Sequence, residues 1–339
     1  MRSSDSPRLS IVITSYTMDR FQDICDLLDS IKQQRYTEDQ RSPGLSEVTV
    51  ETVFIAEGSP ELYERVKEYG DKIGMHNFEA TFSVEKLYLS GARRLGAKHA
   101  KGEIVAFVDD DSVLFPEWAE EMVASYQDES VIGVSGAALP AWQGKGLDWL
   151  PKNLYWLISC TDWTGWNEPR EARSLWGMNM SLRRAAFEKT DPFLSDIGHR
   201  DLFLGYREPP IAEDLEFSLR VKRATGKRLL YNPKAKVWHK VYAYRITSRF
   251  VASRAHHIGV SRHVLRKAGL KEQAKMSLEK GVVNGIFGII CSLPRDFIKS
   301  PVVAWKRFAV TVTVVAFAAL GFLFPGDSLQ AARNIRDAL

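Results

Sequence analysis

Apolar positions in the first 140 residues alternate between two rhythms. Residues 9–13 form a short β-branched run ending in Thr14, Ser15 and Tyr16; after Asp19, the predicted N-cap, Phe21, Ile24, Leu28 and Ile31 recur at helical spacing. The pattern repeats as a buried strand over 48–56, helices over 60–69 and 87–100, and a strand over 104–108. Alternating βα units predict an α/β fold with a mostly parallel sheet covered by helices on both faces. Ligands of such sheets gather at the carboxyl ends of the strands. Further strands are expected over 131–136, 175–182, 229–231 and 236–238, with a helix over 212–224 between them.

Past residue 242 the rhythm is lost. Residues 245–280 read as a basic helical stretch, followed by apolar segments over 281–293 and 308–324, the latter 17 residues without a charge. Spanning a bilayer takes roughly 17 to 25 such residues. Arg295, Lys299, Lys306 and Arg307 flank the two segments, as expected of an interfacial helix followed by a membrane-inserted one; a pair of buried core helices is the alternative. Charge sharpens the division. From Arg220 to Arg307 there are 21 Lys or Arg against three acids, a surplus of +18 in a chain of formal net charge +4, so the remainder sums to −14. Such a basic block suits nucleic acid, an anionic membrane surface or a phosphorylated substrate.

Six of the nine tryptophans fall within residues 142–176, either as a core beneath a loop or as a cleft wall. Three widely spaced cysteines, Cys25, Cys160 and Cys291, build neither a disulfide framework nor a CxxC metal site, which favours a reducing compartment. The five apolar residues near the N-terminus fall short of the roughly 7 to 15 of a signal peptide, so no export of the N-terminal domain is expected.

Two acidic groups carry the candidate chemistry. Asp109, Asp110 and Asp111 follow a wholly apolar strand, where unpaired carboxylates repel one another and call for a cation; Mg²⁺ or Mn²⁺ bound by one or two carboxylates and substrate phosphates is the common solution. A solvated acidic turn is the competing reading. Glu213 and Asp214 open a helix, where the dipole alone would account for them. An isolated His239 follows the next strand.

The segments SIVITSYTMDR, AKGEIVAFVDDDSVLFPEW, WGMNMSLRRAAF and AEDLEFSLRVKRATGKRLLYNPKAKVWH together resemble family 2 glycosyltransferases of the Rossmann-like GT-A fold, across residues 8–243. That resemblance implies a catalytic domain over 1–243, and the charge and apolar pattern beyond it a basic, helical, membrane-associated region over 244–339. More narrowly, SYTMDR, LPKNLYWLISCTDWTG and YNPKAKVWHKVYAYR look like archaeal enzymes that add a hexuronic acid, typically glucuronate, to a sugar on dolichyl phosphate for protein N-glycosylation. The implied nucleotide-sugar contacts are Thr14, Tyr16, Glu57, Arg94 and Asp110. Glu57 stands in IAEGS where the family commonly has VDDGS, and can still accept hydrogen bonds from a uracil imide or a ribose hydroxyl.

Asp109 and Asp111 would hold Mn²⁺ or Mg²⁺, with His239 as third ligand. Asp214 would be the general base that deprotonates the acceptor hydroxyl, supported by Glu213. Trp176, Asn179, Arg200 and Arg207 would face the acceptor. The implied partners are a UDP-linked nucleotide-sugar donor, a polyprenyl- or dolichyl-phosphate-linked sugar and the cytoplasmic face of the cell membrane. A nucleic-acid-binding protein should interleave aromatics with its cations, whereas here they concentrate at 142–176, so no nucleic-acid partner is expected. A sugar nucleotidyltransferase should carry a glycine-rich basic loop after the first strand, and Thr14-Ser15-Tyr16-Thr17 is neither.

Overall fold

The computed structural model describes residues 8–34, 49–194, 213–270, 277–326 and 329–338. It contains two compact units. Of the described residues, one comprises those within 8–138, 167–194 and 213–238; the other comprises those within 139–166 and 239–338. The expected boundary at 243 grouped residues 139–166 with the catalytic part, whereas the structure groups them with the C-terminal helices.

The first unit opens with β1 (Leu9–Ser15), α1 (Phe21–Lys32), β2 (Val50–Glu57), α2 (Pro60–Lys72), β3 (Phe78–Ser83), α3 (Tyr88–His99) and β4 (Ile104–Val108). It continues with β5 (Ser112–Leu114), α4 (Trp118–Ala124), β6 (Val131–Gln143), β7 (Arg170–Ala172), β8 (Asn179–Arg183), α5 (Ala185–Lys189), α6 (Glu213–Thr225) and β9 (Arg228–Tyr242), the last residues of β6 and β9 being counted with the second unit. The strands form one sheet in the order β3-β2-β1-β4-β8-β6-β9-β5, with β7 beside β9. The β3-β2-β1-β4 half is parallel, as the βα rhythm predicts, while β8 runs antiparallel to both β4 and β6. Leu9, Ile11 and Ile13 of β1 pack with Ile24, Leu27, Leu28 and Ile31 of α1, so the 3.6-residue spacing in the sequence is the helix's core face.

Local chemistry sets the helix starts. Ser59 accepts a hydrogen bond from the Leu62 amide and Pro60 occupies the first turn of α2, a pre-organised start. Asp19 is not the cap of α1. The cap position is Arg20, which makes no side-chain cap bond; Thr17 caps instead a short 3₁₀ turn over Met18–Arg20 that leads into α1, accepting from the Asp19 amide at 3.2 Å. The two short strands expected over 229–231 and 236–238 are one strand of 15 residues, β9, running through Pro233. The Asn232 side chain makes this tolerable: it donates to the Glu121 carbonyl at 3.0 Å and accepts from the Lys234 amide at 2.9 Å.

The second unit adds α7 (Ser248–Lys267), α8 (Ser277–Lys299), α9 (Pro301–Leu323) and α10 (Leu329–Ala338). Its core joins Leu150, Leu154, Leu157 and Ile158 to Val251, Ala255, Val310 and Val314, with Trp142, Trp149, Trp156 and Trp163 half-buried against it. Four of the clustered tryptophans therefore pack on a core. Among the described residues, α9 is long and apolar enough to cross a membrane.

Candidate active site

Strand β4 delivers Asp109, Asp110 and Asp111 to its carboxyl end. A turn closed by the Ser112 amide donating to the Asp109 carbonyl at 3.0 Å holds them there. Ligand atoms of Asp109, Asp111 and His239 lie within 4.8 Å of one another, and Asp111 and His239 are buried. Two carboxylates and an imidazole are a donor set suited to Mn²⁺ or Mg²⁺. The surrounding charge agrees. Burial and the neighbouring Asp111 and Asp109 carboxylates push Asp110 up to about 7, against the lowering effect of Arg20 and the Ser15 hydroxyl. A divalent cation would relieve that repulsion.

Two guanidiniums partly balance the acids. Arg20 lies 3.0 Å from Asp23 and 3.4 Å from Asp111. Arg93 is 3% exposed, and its fork binds Asp109 Oδ1 at 3.0 Å, Glu213 Oε1 at 3.2 Å and the Gly177 carbonyl at 3.0 Å. A methyl group added at Gly177 would sit 2.9 Å from the guanidinium, so a side chain there would push the Arg93 fork out of this position. The planar fork ties the end of β4 to the start of α6, a geometry a lysine ammonium could not reproduce.

Asp214, half-buried at the start of α6, is oriented by backbone donors: the Gly177 amide to Oδ2 at 3.0 Å and the Leu215 amide to Oδ1 at 2.7 Å. Each oxygen retains acceptor capacity. The carboxylates proposed for metal binding and base catalysis are thus linked through Arg93 and the Gly177 backbone.

The other predicted residues divide. Thr14, near the end of β1, and Tyr16, just beyond it, share the carboxyl edge with Glu57, the last residue of the adjacent β2. Glu57 is buried and accepts from the Tyr88 amide at 2.7 Å, which anchors the start of α3. Lys86, which the sequence reading passed over, reaches over the Tyr16 ring at 5.8 Å and the Tyr88 ring at 5.1 Å.

Arg94 does not face the carboxylates: it is exposed and donates to the Phe193 carbonyl, while Arg93 turns inward. The helical face shared by Ser90, Arg93 and Ala97 was the available signal, because these buried positions recur at three- and four-residue spacing. Asn179 is likewise not at an acceptor surface. It is fully buried, donating to the Ala137 and Ala235 carbonyls and accepting from the Trp118 indole, so it is a strut within the sheet. Trp176 is half-buried, its ring 5.3 Å from that of Tyr231 and its amide donating to the Ser135 hydroxyl. Arg200 and Arg207 lie outside the described residues.

Known proteins agree with this architecture. The chain is 26% identical over 261 residues to a glucosyl-dolichyl phosphate glucuronosyltransferase of Haloferax volcanii, covering 76% of this chain and 77% of that protein. The fold is similar to the mannosyltransferase PcManGT from Pyrobaculum calidifontis, solved with GDP-Man and Mn²⁺, at a TM-score of 0.62, 16% identity and coverage of 96% of this chain and 89% of that one. It is also similar to GalNAc-T7, solved with UDP, GalNAc and Mn²⁺, at a TM-score of 0.51, 16% identity and coverage of 84% and 55%. The family model for glycosyl transferase family 2 matches residues 10–190, more than half of the sequence, and the chain belongs to that family of glycosyltransferases.

Proposed function

We propose that this chain is a metal-dependent, inverting glycosyltransferase acting at the cytoplasmic face of the cell membrane. It moves a hexuronic acid from a UDP-linked donor to a sugar carried on polyprenyl or dolichyl phosphate. The observation that carries the reading is the convergence of Asp109, Asp111 and His239 to within 4.8 Å at the end of β4. The named activity of the Haloferax volcanii relative supports the choice of sugar and lipid, and the Mn²⁺ in both solved neighbours supports the metal.

Asp109, Asp111 and His239 would hold a divalent cation, which when bound offsets the charge developing on the leaving diphosphate. The chain's own residues do the rest. Thr14, Tyr16 and Glu57 line the carboxyl edge on the nucleotide side. Asp214, its carboxylate fixed by the Gly177 and Leu215 amides, takes the proton from the acceptor hydroxyl as that oxygen attacks the anomeric carbon. Attack from the side opposite the departing diphosphate inverts the anomeric configuration. Glu213, paired with Arg93, keeps the start of α6 in register with β4.

The test incubates the full chain in lipid with Mn²⁺, a panel of nucleotide sugars and a polyprenyl-phosphate-linked sugar, and identifies the lipid product by mass. A lipid heavier by one hexuronic acid, lost on adding EDTA, is expected. Transfer of a neutral hexose would overturn the choice of donor, and transfer indifferent to EDTA would remove the metal.

A further inference from the structure

Helix α9 has two unlike sides. Phe308, Val312, Val315, Ala319 and Leu323 recur at intervals of four, three, four and four residues, which places them on one stripe, and all five are exposed. Val310, Val314 and Gly321 on the opposite side are buried. There α9 packs backbone to backbone on α7: a methyl group at Gly259 would lie 2.1 Å from the Ala318 carbonyl oxygen, and one at Gly321 would lie 2.0 Å from that of His256. Small residues at such a crossing let backbones touch.

Both ends of α9 are held by polar groups of the same unit. Near its start, Arg307 pairs with Asp296 at 2.8 Å and donates to the Trp149 carbonyl at 3.3 Å, while Lys306 lies 5.6 Å over the Trp149 ring. Near its end, His263 Nδ1 donates to the Phe322 carbonyl at 2.8 Å, and the Arg266 guanidinium lies 5.9 Å over the Phe322 ring. The chain then returns, since α10 packs on α7. From Arg307 to Phe322 is 15 residues, about 23 Å of helix at ~1.5 Å per residue, against a hydrocarbon core of roughly 30 Å. A spanning α9 would draw one of these charged clasps into hydrocarbon, where ionisable groups are costly.

We propose that α9 does not cross the bilayer but lies in the plane of an anionic lipid surface, with its exposed stripe in the acyl boundary and α7 on the water side. Exposed Arg295 and Lys299, in the last turns of α8 just before α9 begins, supply matching charge for anionic headgroups, and exposed Phe287, Ile290 and Ile298 of α8 add apolar surface. This rests on the membrane-surface reading above and sharpens it: residues before and after α9 stay on one side.

The test uses the full chain with Cys291, the exposed thiol, changed to Ser, leaving Cys25 and Cys160 buried. A single cysteine at Val312→Cys or Leu323→Cys carries an environment-sensitive fluorophore, and nitroxide lipids of graded depth quench it in vesicles containing phosphatidylglycerol. The two positions face the same way and are 11 residues apart, about 16 Å along the axis. Equal, shallow depths are expected, together with labelling of Arg336→Cys by an impermeant maleimide added outside. Depths differing by about 16 Å, or an Arg336→Cys thiol protected until detergent is added, would overturn the proposal in favour of a span. Absence of quenching with a dimer in solution would overturn it in favour of a protein interface. Neither donor nor acceptor enters this measurement, so failed sugar transfer and failed docking remain separate results.

Discussion

Asp214 and Asp110 illustrate opposite uses of a carboxylate. Asp214 is held by two backbone amides, one on each oxygen, so Asp214→Asn preserves its shape and one of these contacts, turns its NH2 towards the other amide, and removes its ability to take a proton. Turnover should fall by roughly 10² to 10⁴ with donor affinity nearly unchanged, read by steady-state kinetics beside donor titration. Unaltered turnover would shift the base to Glu213. Asp110 is held up to about 7 by burial and its acidic neighbours. An acid whose folded-state pKa is raised contributes stability below its unfolded value, near 4, and that contribution is lost as pH rises towards 7. In EDTA, the wild type should therefore lose stability relative to Asp110→Asn between about pH 4 and pH 7, with the gap narrowing when Mn²⁺ is added. Urea unfolding of both proteins across that range measures it. The three consecutive aspartates were legible in the sequence because an apolar strand ended on them. Arg93 was not, because a cation on an inward helical face shows its purpose only when its partners, one of them 120 positions away, are known.

Elements were read best where one periodicity served one buried face. Strands β1, β2 and β4 and helices α1, α2, α3 and α6 appear close to their expected positions. Strand β3 escaped notice because all its residues are only half-buried, which leaves FEATFS without a clean alternation. Strand β9 was split in two because Asn232-Pro233 reads as a break. The Asn232 amide bridges α4 and the strand, so Asn232→Ala leaves the Glu121 carbonyl and the Lys234 amide without these contacts. A loss of about 1 to 3 kcal/mol in urea-determined stability is expected. A loss below ~0.5 kcal/mol would mean that the strand passes Pro233 without that side chain's help.

Over the whole molecule, the basic block and the apolar helices respond differently to salt. Each Lys or Arg near an anionic surface adds about 1 kcal/mol, screened as ionic strength rises, whereas apolar burial is not. The full chain should therefore bind anionic vesicles more slowly in high salt yet remain bound until detergent is added, as flotation and stopped-flow mixing would show. Release by salt alone would leave the apolar stripe without a role at the membrane. The grouping of residues 139–166 with the C-terminal helices was not legible, because the contact between Arg307 and the Trp149 carbonyl joins positions 158 apart and has no local period.

The clasp of Arg93 on Glu213 also has a consequence in time. Asp109 and Glu213 are separated by about 100 residues, which a ribosome adding ~5 to 20 residues per second takes roughly 5 to 20 s to bridge. Throughout that interval Arg93 has Asp109 within reach but lacks its partner on α6. The nascent parallel half-sheet can form its core early, yet its acidic edge can be locked only after the helix carrying Glu213 and Asp214 clears the exit tunnel. Completion of the acidic edge is therefore a late event of synthesis, and a pause in translation ahead of that helix would prolong the period in which the edge stands open.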